Sequence, residues 1–208
     1  MDIASFSEIQ KTRFLAMNFA RLQGLRAVPT GLLLFLVSFW ANTLRGPARD
    51  FILPGSAVVV CGGLYILVDR YYQRTFGRVV ASSESRRADL LLSVIGGLVG
   101  LAAFLVDVRL SLPVSFIGLV FAGAFLWEYF RMVRNIQHWY VPLMPIFGLL
   151  IALFSLLPAL GLGGWWQQIG VKNELLGVCL VVGAVLVVAG LLSHLYFIRT
   201  LPQESHNV

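Results

Sequence analysis

Three ionisable side chains stand at matching places in this chain. Asp69 lies in "GGLYILVDRYYQR" (62–74), Glu128 in "AGAFLWEYFRMVR" (122–134) and His194 in "AGLLSHLYFIR" (189–199). In each stretch small residues come first, then a bulky apolar turn, then the ionisable group. An aromatic ring follows two positions on (Tyr71, Phe130, Tyr196), and an arginine a turn or so later. Two carboxylic acids and an imidazole are the groups that move protons in general acid–base chemistry. Arginines beside them can grip a phosphate or carboxylate through charge-assisted hydrogen bonds. The candidate polar rim is therefore Asp69, Arg70, Arg74, Asp89, Glu128, Arg131, Arg134, His194 and Arg199. It is open to three functional readings: a pocket for an anionic or phosphate-bearing lipid headgroup, a docking rim for a partner's loop, or an acid–base site acting on lipid. Set against these is plain local ion pairing that anchors the helices.

Standard catalytic constellations are missing from the sequence. There is no H-E-x-x-H, no G-x-S-x-G elbow and no Walker A loop. His138, His194 and His206 lack ligand spacing to one another, and Cys61 and Cys179 lie in apolar runs without a C-x-x-C partner. Free cysteines in such runs behave as small packing residues. The sequence thus assigns no catalytic residue, no metal and no cofactor.

The elements that must position the rim are apolar. Of 208 residues, 58% are hydrophobic and only 12% charged, about half the charge fraction of a soluble domain. Six apolar segments run over 27–43, 51–68, 90–106, 113–130, 141–161 and 175–198. Each is close to the ~20 residues that carry a helix across a hydrocarbon core. Backbone groups in lipid must bond within their own segment, so helices are the only choice for runs without strict alternation. Pro29, Pro54, Pro113 and Pro142 fall at or near segment starts, where a missing N–H costs nothing. Pro145 and Pro158 lie further inside the fifth segment and predict a bent helix.

The expected fold is all-α: a polytopic transmembrane bundle of six spans over 27–199. A cytoplasmic segment (1–26) precedes it and a short tail (200–208) follows. The similar endings of the even spans raise the possibility of three related hairpins. Interface chemistry, which imposes the order small, bulky, aromatic, cationic on any inward-leaving helix, gives the competing account.

The net charge of +6 lies in clusters beside the apolar runs, which points to anionic lipid rather than nucleic acid. Lys11, Arg13, Arg21, Arg26, Arg70, Arg74, Arg78, Arg86, Arg87, Arg131, Arg134 and Arg199 fall on one side of the alternating spans. Arg45, Arg49, Arg109 and Lys172 fall on the other. Twelve against four places the first side in the cytoplasm, with both termini there. Trp40, Tyr71, Tyr72, Trp139, Tyr140, Trp165 and Trp166 are the expected interface anchors, apolar rings with a wet polar edge. The N-terminal stretch 8–26 reads either as a helix lying along the interface or as an extension of the first span. Gly96 and Gly100 form a small-x-x-x-small ridge expected to admit a close helix neighbour.

Almost no charged residue falls at mid-depth, which weighs against a proton pump or ion-coupled transporter. The expected function is a subunit or accessory module of a membrane complex, with a basic cytoplasmic rim that binds anionic lipid or a partner, itself or another membrane protein. A small-solute permease or channel is the alternative, and a lipid-modifying enzyme the second. The short loops and the strong charge bias point to a bacterial cytoplasmic membrane.

Overall fold

A computed structural model describes residues 23–43, 52–76, 83–110, 112–135, 143–172 and 174–200. Among these residues all regular structure is helical. A 3-10 turn, Gly24–Arg26, leads into α1 (Ala27–Thr43). Then come α2 (Leu53–Phe76), α3 (Ser83–Leu110), α4 (Phe116–Asn135), α5 (Leu143–Leu156), the short α6 (Gly164–Gln168) and α7 (Glu174–Thr200). Three stretches are long and apolar enough to cross a membrane: Gly24–Thr43, Leu90–Leu110 and Glu174–Arg199.

The fifth segment differs from expectation. The helix ends at Leu156 instead of bending, and a separate 3-10 turn, Pro158–Leu160, follows it. Pro158 has no N–H to continue the ladder. Gly161 then closes the turn at a φ of 79°, a backbone region that suits glycine. Pro145, by contrast, sits in the first turn of α5, where a missing donor is harmless. The 14 residues of α5 rise only about 21 Å.

The main helix pair joins the two ends of the chain. α1 and α7 pack antiparallel along their length, and α4 with α5 forms the next most extensive pair. Glycines let the first pair close. A Cβ added at Gly31 would meet the Gly183 carbonyl oxygen at 2.7 Å, and one at Gly183 would meet the Gly31 oxygen at 2.7 Å. Gly24 and Gly190 oppose each other in the same way one heptad further along. Seven-residue spacing keeps each pair of glycines on one stripe of its helix. At the far end the Asn42 amide clamps the turn before α7. Its Nδ2 donates to the Gly170 oxygen at 3.0 Å, and its Oδ1 accepts from Lys172 N–H at 2.7 Å. The expected ridge on α3 is not used in this way. Gly96 has nothing within 4 Å, and Gly100 only Ile117 Cδ1 at 3.9 Å.

α4 and α5 meet through Gly118, set directly against Ser155, and through Gly148, set against the Ala122 carbonyl. The start of α4 is tied to the end of α3 by Asp107. Its carboxylate accepts from the backbone N–H groups of Phe116 (2.7 Å) and Ile117 (3.0 Å) and from the Ser115 hydroxyl (2.9 Å). Ser115 Oγ in turn accepts from Gly118 N–H at 3.3 Å. The first three N–H groups of α4, which a helix cannot satisfy itself, all find acceptors, and a negative charge sits at the positive end of the dipole. Replacing Asp107 with alanine should cost about 2 kcal/mol of stability, read as a lower melting point in detergent. Asp107→Asn keeps an acceptor and should lose roughly half as much.

These contacts fix the sense of every long helix. Arg26 at the start of α1, Asp69 and Tyr72 near the end of α2, and His194 near the end of α7 gather at one end. Gly190 of α7 and Met144 at the start of α5 border one cavity there. Asp107 near the end of α3, Ser115 before α4, and Glu174 at the start of α7 gather at the other end. Ser115 N–H also donates to the Ser155 oxygen near the end of α5. The six long helices therefore alternate in direction along the chain.

Candidate functional site

The Arg26 end is built around one buried ring. Tyr72 and Phe197 are both fully enclosed, with Leu25, Val68, Phe76 and Tyr196 packed around them. Phe76 and Phe197 meet edge to face at 5.0 Å between ring centres, and Tyr72 stands edge-on to His194 at 5.6 Å. The Tyr72 oxygen accepts from Leu25 N–H at 3.3 Å and lies 2.8 Å from His194 Nδ1. The hydroxyl and Nδ1 share one hydrogen bond, whose donor is set by the imidazole tautomer. Tyr72 lies four residues beyond the apolar stretch 51–68. Burial pushes its phenol up to about 12, so the hydroxyl keeps its proton.

Beside this ring, the Arg26 guanidinium pairs with the Asp69 carboxylate. Gln73 Nε2 donates to the other Asp69 oxygen at 2.6 Å, one helical turn along α2. Two of the predicted rim residues, Asp69 and His194, thus converge on the same turn, Gln23–Arg26, from α2 and α7. Arg70, Arg74 and Arg199 are exposed, and Glu128 is half-buried on α4. The side chains of Asp89, Arg131 and Arg134 lie outside the described residues, as do Trp139, Tyr140 and the whole segment 1–22.

The ring anchors divide. Tyr71 is exposed and Trp40 half-buried, while Trp165 is 39% exposed. Tyr72 and Trp166 were expected at an interface and are instead buried, at 0% and 2% exposed. Trp166 lies flat on Gly177 of α7 and packs against Phe154.

Gln23 and Arg26 also border a cavity of about 220 Å³. Its other walls come from Phe125 of α4, Met144 of α5, and Leu186, Ala189, Gly190 and Ser193 of α7. Two buried polar atoms on this turn have no hydrogen-bond partner, Gln23 Oε1 and Arg26 Nε. A larger cavity of about 480 Å³ opens at the other end, bordered by Asp107, Ser115, Gln167, Lys172 and Glu174 among others. Along α7 between the two cavities come Val178, Val182 and Val185, all in the apolar core with Ile151 and Phe125. Among the described residues, no group of three His, Cys, Asp or Glu side chains is placed to hold a metal ion.

Sequence reasoning missed Gln23, Arg26 as a pairing partner, and Tyr72 as a network centre. The heptad repeat of small residues, Gly24, Gly31 and Ser38 against Gly183 and Gly190, was the available signal that α1 and α7 meet and bring these groups together. The chain matches no family model, no curated protein and no solved structure.

Proposed function

We propose that the chain is a six-crossing integral membrane protein and a non-catalytic helical module of a membrane assembly, with its arginine-rich end in the cytoplasm. The alternation of the six long helices carries the first part. α1 and α7 are antiparallel, so if both cross, the number of crossings is even. The three longest apolar stretches cannot then be the full set. Crossing by all six matches the direction of each. It also puts the twelve-cation side of the chain at the Arg26 end.

The exposed surfaces support the module reading. Val58, Val59, Val60, Leu64, Tyr65, Ile66 and Leu67 are exposed around α2, as are Leu90, Leu91, Leu92, Val94 and Ile95 around α3. A helix apolar all round belongs in lipid or against other helices. Gly62 and Gly63 on α2, and Gly96 and Gly97 on α3, face no atom within 4 Å. Small residues on a lipid-embedded helix are where a neighbouring backbone approaches. The groups best suited to proton transfer are already engaged, Asp69 by Arg26 and Gln73, His194 by Tyr72. That disfavours the enzyme reading, and the packed valines between the two cavities disfavour a permease.

Topology is tested with single cysteines in a cysteine-free background. Arg86→Cys should label only from the cytoplasmic face and Gln168→Cys only from outside. The reverse pattern, or labelling of both from one side, would end the six-crossing reading. The module is tested with a photo-reactive phenylalanine in place of Gly62 or Gly96 in native membranes. A discrete polypeptide adduct is expected. Adducts to lipid alone at both sites would reject it.

A further inference from the structure

From the outward face of α2 we infer a binding site for one anionic phospholipid, its phosphate held by Arg70 and Arg74. The inference rests on the membrane reading above, which puts the end of α2 among the cytoplasmic headgroups. α2 is buried along one stripe, Ala57, Cys61 and Tyr72. At about 100° per residue, Arg70 and Arg74 each stand about 160° around the helix from Tyr72. Both are exposed. They lie about 3 and 9 Å beyond Val68 along the axis, at 1.5 Å per residue, so two guanidinium groups one turn apart can grip one phosphate. Among the described residues neither has an acidic partner, because the adjoining carboxylate, Asp69, is engaged by Arg26 and Gln73. Val59 and Leu67 share the outward half of the helix, each about 140° from Tyr72. Val59, at 74%, is the most exposed large apolar side chain among the described residues.

Charge and order along this face select the occupant. Apolar side chains come first and two cations follow at the end, which is the profile of an amphiphile lying lengthwise on the helix. Its acyl chains meet Val59, Ile66 and Leu67, all exposed, and its anion meets the arginines. An acidic loop of a partner protein would satisfy the arginines and leave that apolar run uncovered. The two guanidinium charges have no acid of their own to balance them. A headgroup of net negative charge, such as phosphatidylglycerol, supplies the balance. Phosphatidylcholine offers the same phosphate but carries a trimethylammonium that two cations repel.

The test uses the full chain in nanodiscs of equal parts phosphatidylcholine and phosphatidylglycerol with matched acyl chains, read by native mass spectrometry after release. One phosphatidylglycerol should be retained over phosphatidylcholine by about 25-fold, about fivefold for each arginine. Arg70→Gln or Arg74→Gln should each lower that ratio about fivefold, and the two together should bring it to about one. The double change leaves ten inward cations against four, so insertion and orientation are retained. Arg199→Gln removes an exposed charge at the same end of the bundle and should leave the ratio unchanged. Soluble glycerophosphoglycerol, added to phosphatidylcholine discs, should not be retained. Equal retention of the two lipids by the unaltered protein, or an equal loss at Arg199→Gln, overturns the assignment while leaving the membrane reading intact. Retention of the soluble headgroup with no lipid preference overturns the lipid source. In discs drawn directly from native membranes, a polypeptide lost on the double change while bound lipid stays would give this face to a protein partner and overturn the assignment. Failure of the protein to enter any disc overturns both the site and the membrane reading.

Discussion

Gly183→Leu is expected to abolish recovery of folded protein in detergent, and Gly31→Leu to do the same. At Gly183 an added Cβ would lie 2.7 Å from both the Gly31 oxygen and the Phe35 nitrogen. At Gly31 it would meet the Gly183 oxygen at 2.7 Å, Leu186 Cβ at 2.8 Å and the Val187 nitrogen at 2.9 Å. Most of these are backbone atoms, which cannot rotate away, so the helices must separate. Overpacking by a methylene or so costs about 1–3 kcal/mol. Leucine adds three more carbons beyond Cβ to a seam with no room for the first. Total stability is only about 5–15 kcal/mol, and this pair is the most extensive contact between described helices.

Alanine gives the graded version of the same experiment. Gly183→Ala should lower the melting point by about 2–12 °C, taking 1–3 kcal/mol at 2–4 °C each. Gly62→Ala and Gly96→Ala should leave it level or raise it. Their Cβ atoms enter open space, and alanine is about 1 kcal/mol better than glycine within a helix. The opposite signs are the point of the comparison. Equal shifts at Gly183 and Gly62 would mean that α1 and α7 do not close on one another through glycine.

Hydropathy located the helices well and their ends poorly. The expected span 27–43 coincides with α1. The span 51–68 became a helix running on to Phe76, and 90–106 became Ser83–Leu110. Apolar composition reports where a segment leaves lipid. Backbone hydrogen bonding does not stop there, and a polar helix continues past the seam until a breaker intervenes. Partner choice was the less legible part. Gly96 and Gly100 have the more familiar four-residue spacing, yet they are not the glycines that close a helix pair. Gly24, Gly31, Gly183 and Gly190 lie 152 to 166 residues apart across the pairs they form (183 − 31 and 190 − 24), and no local pattern states which distant stripe will meet which.

Neighbouring aromatics show the same limit. Tyr71 and Tyr72 are both expected at the interface from composition alone. Successive helix positions differ by about 100°, so one of the pair faces outward and the other faces the bundle. Only the location of Leu25 and His194 decides which. Asp69, picked out with Glu128 and His194 as ionisable groups at the ends of even spans, does reach the cluster around His194. It does so through Arg26, counted from sequence only as a topology determinant.

Tyr72→Phe should be the most destabilising removal of a single atom at the Arg26 end. Phenylalanine keeps the ring against Phe76 and Phe197, so packing is little changed. The lost oxygen strands two groups, the Leu25 N–H and His194 Nδ1. An unpaired buried polar group costs about 1–3 kcal/mol. Tyr72 itself is fully enclosed, whereas Leu25 and His194 are only half-buried, so some of the loss is returned by water. A net cost of about 2 kcal/mol follows, or roughly 4–8 °C in melting temperature for a chain of this size. The pair is isolated by a double-mutant cycle. His194→Leu removes the stranded nitrogen, so Tyr72→Phe combined with His194→Leu should cost about 1 kcal/mol less than the sum of the two single changes. Strict additivity would mean that the 2.8 Å contact contributes nothing, and that the Gln23–Arg26 turn is held by the Arg26–Asp69 pair alone. Asp69→Asn separates those accounts. That pair is partly exposed, and an ion pair in contact with water contributes about 0–1 kcal/mol, so the loss at Asp69 should be the smaller of the two.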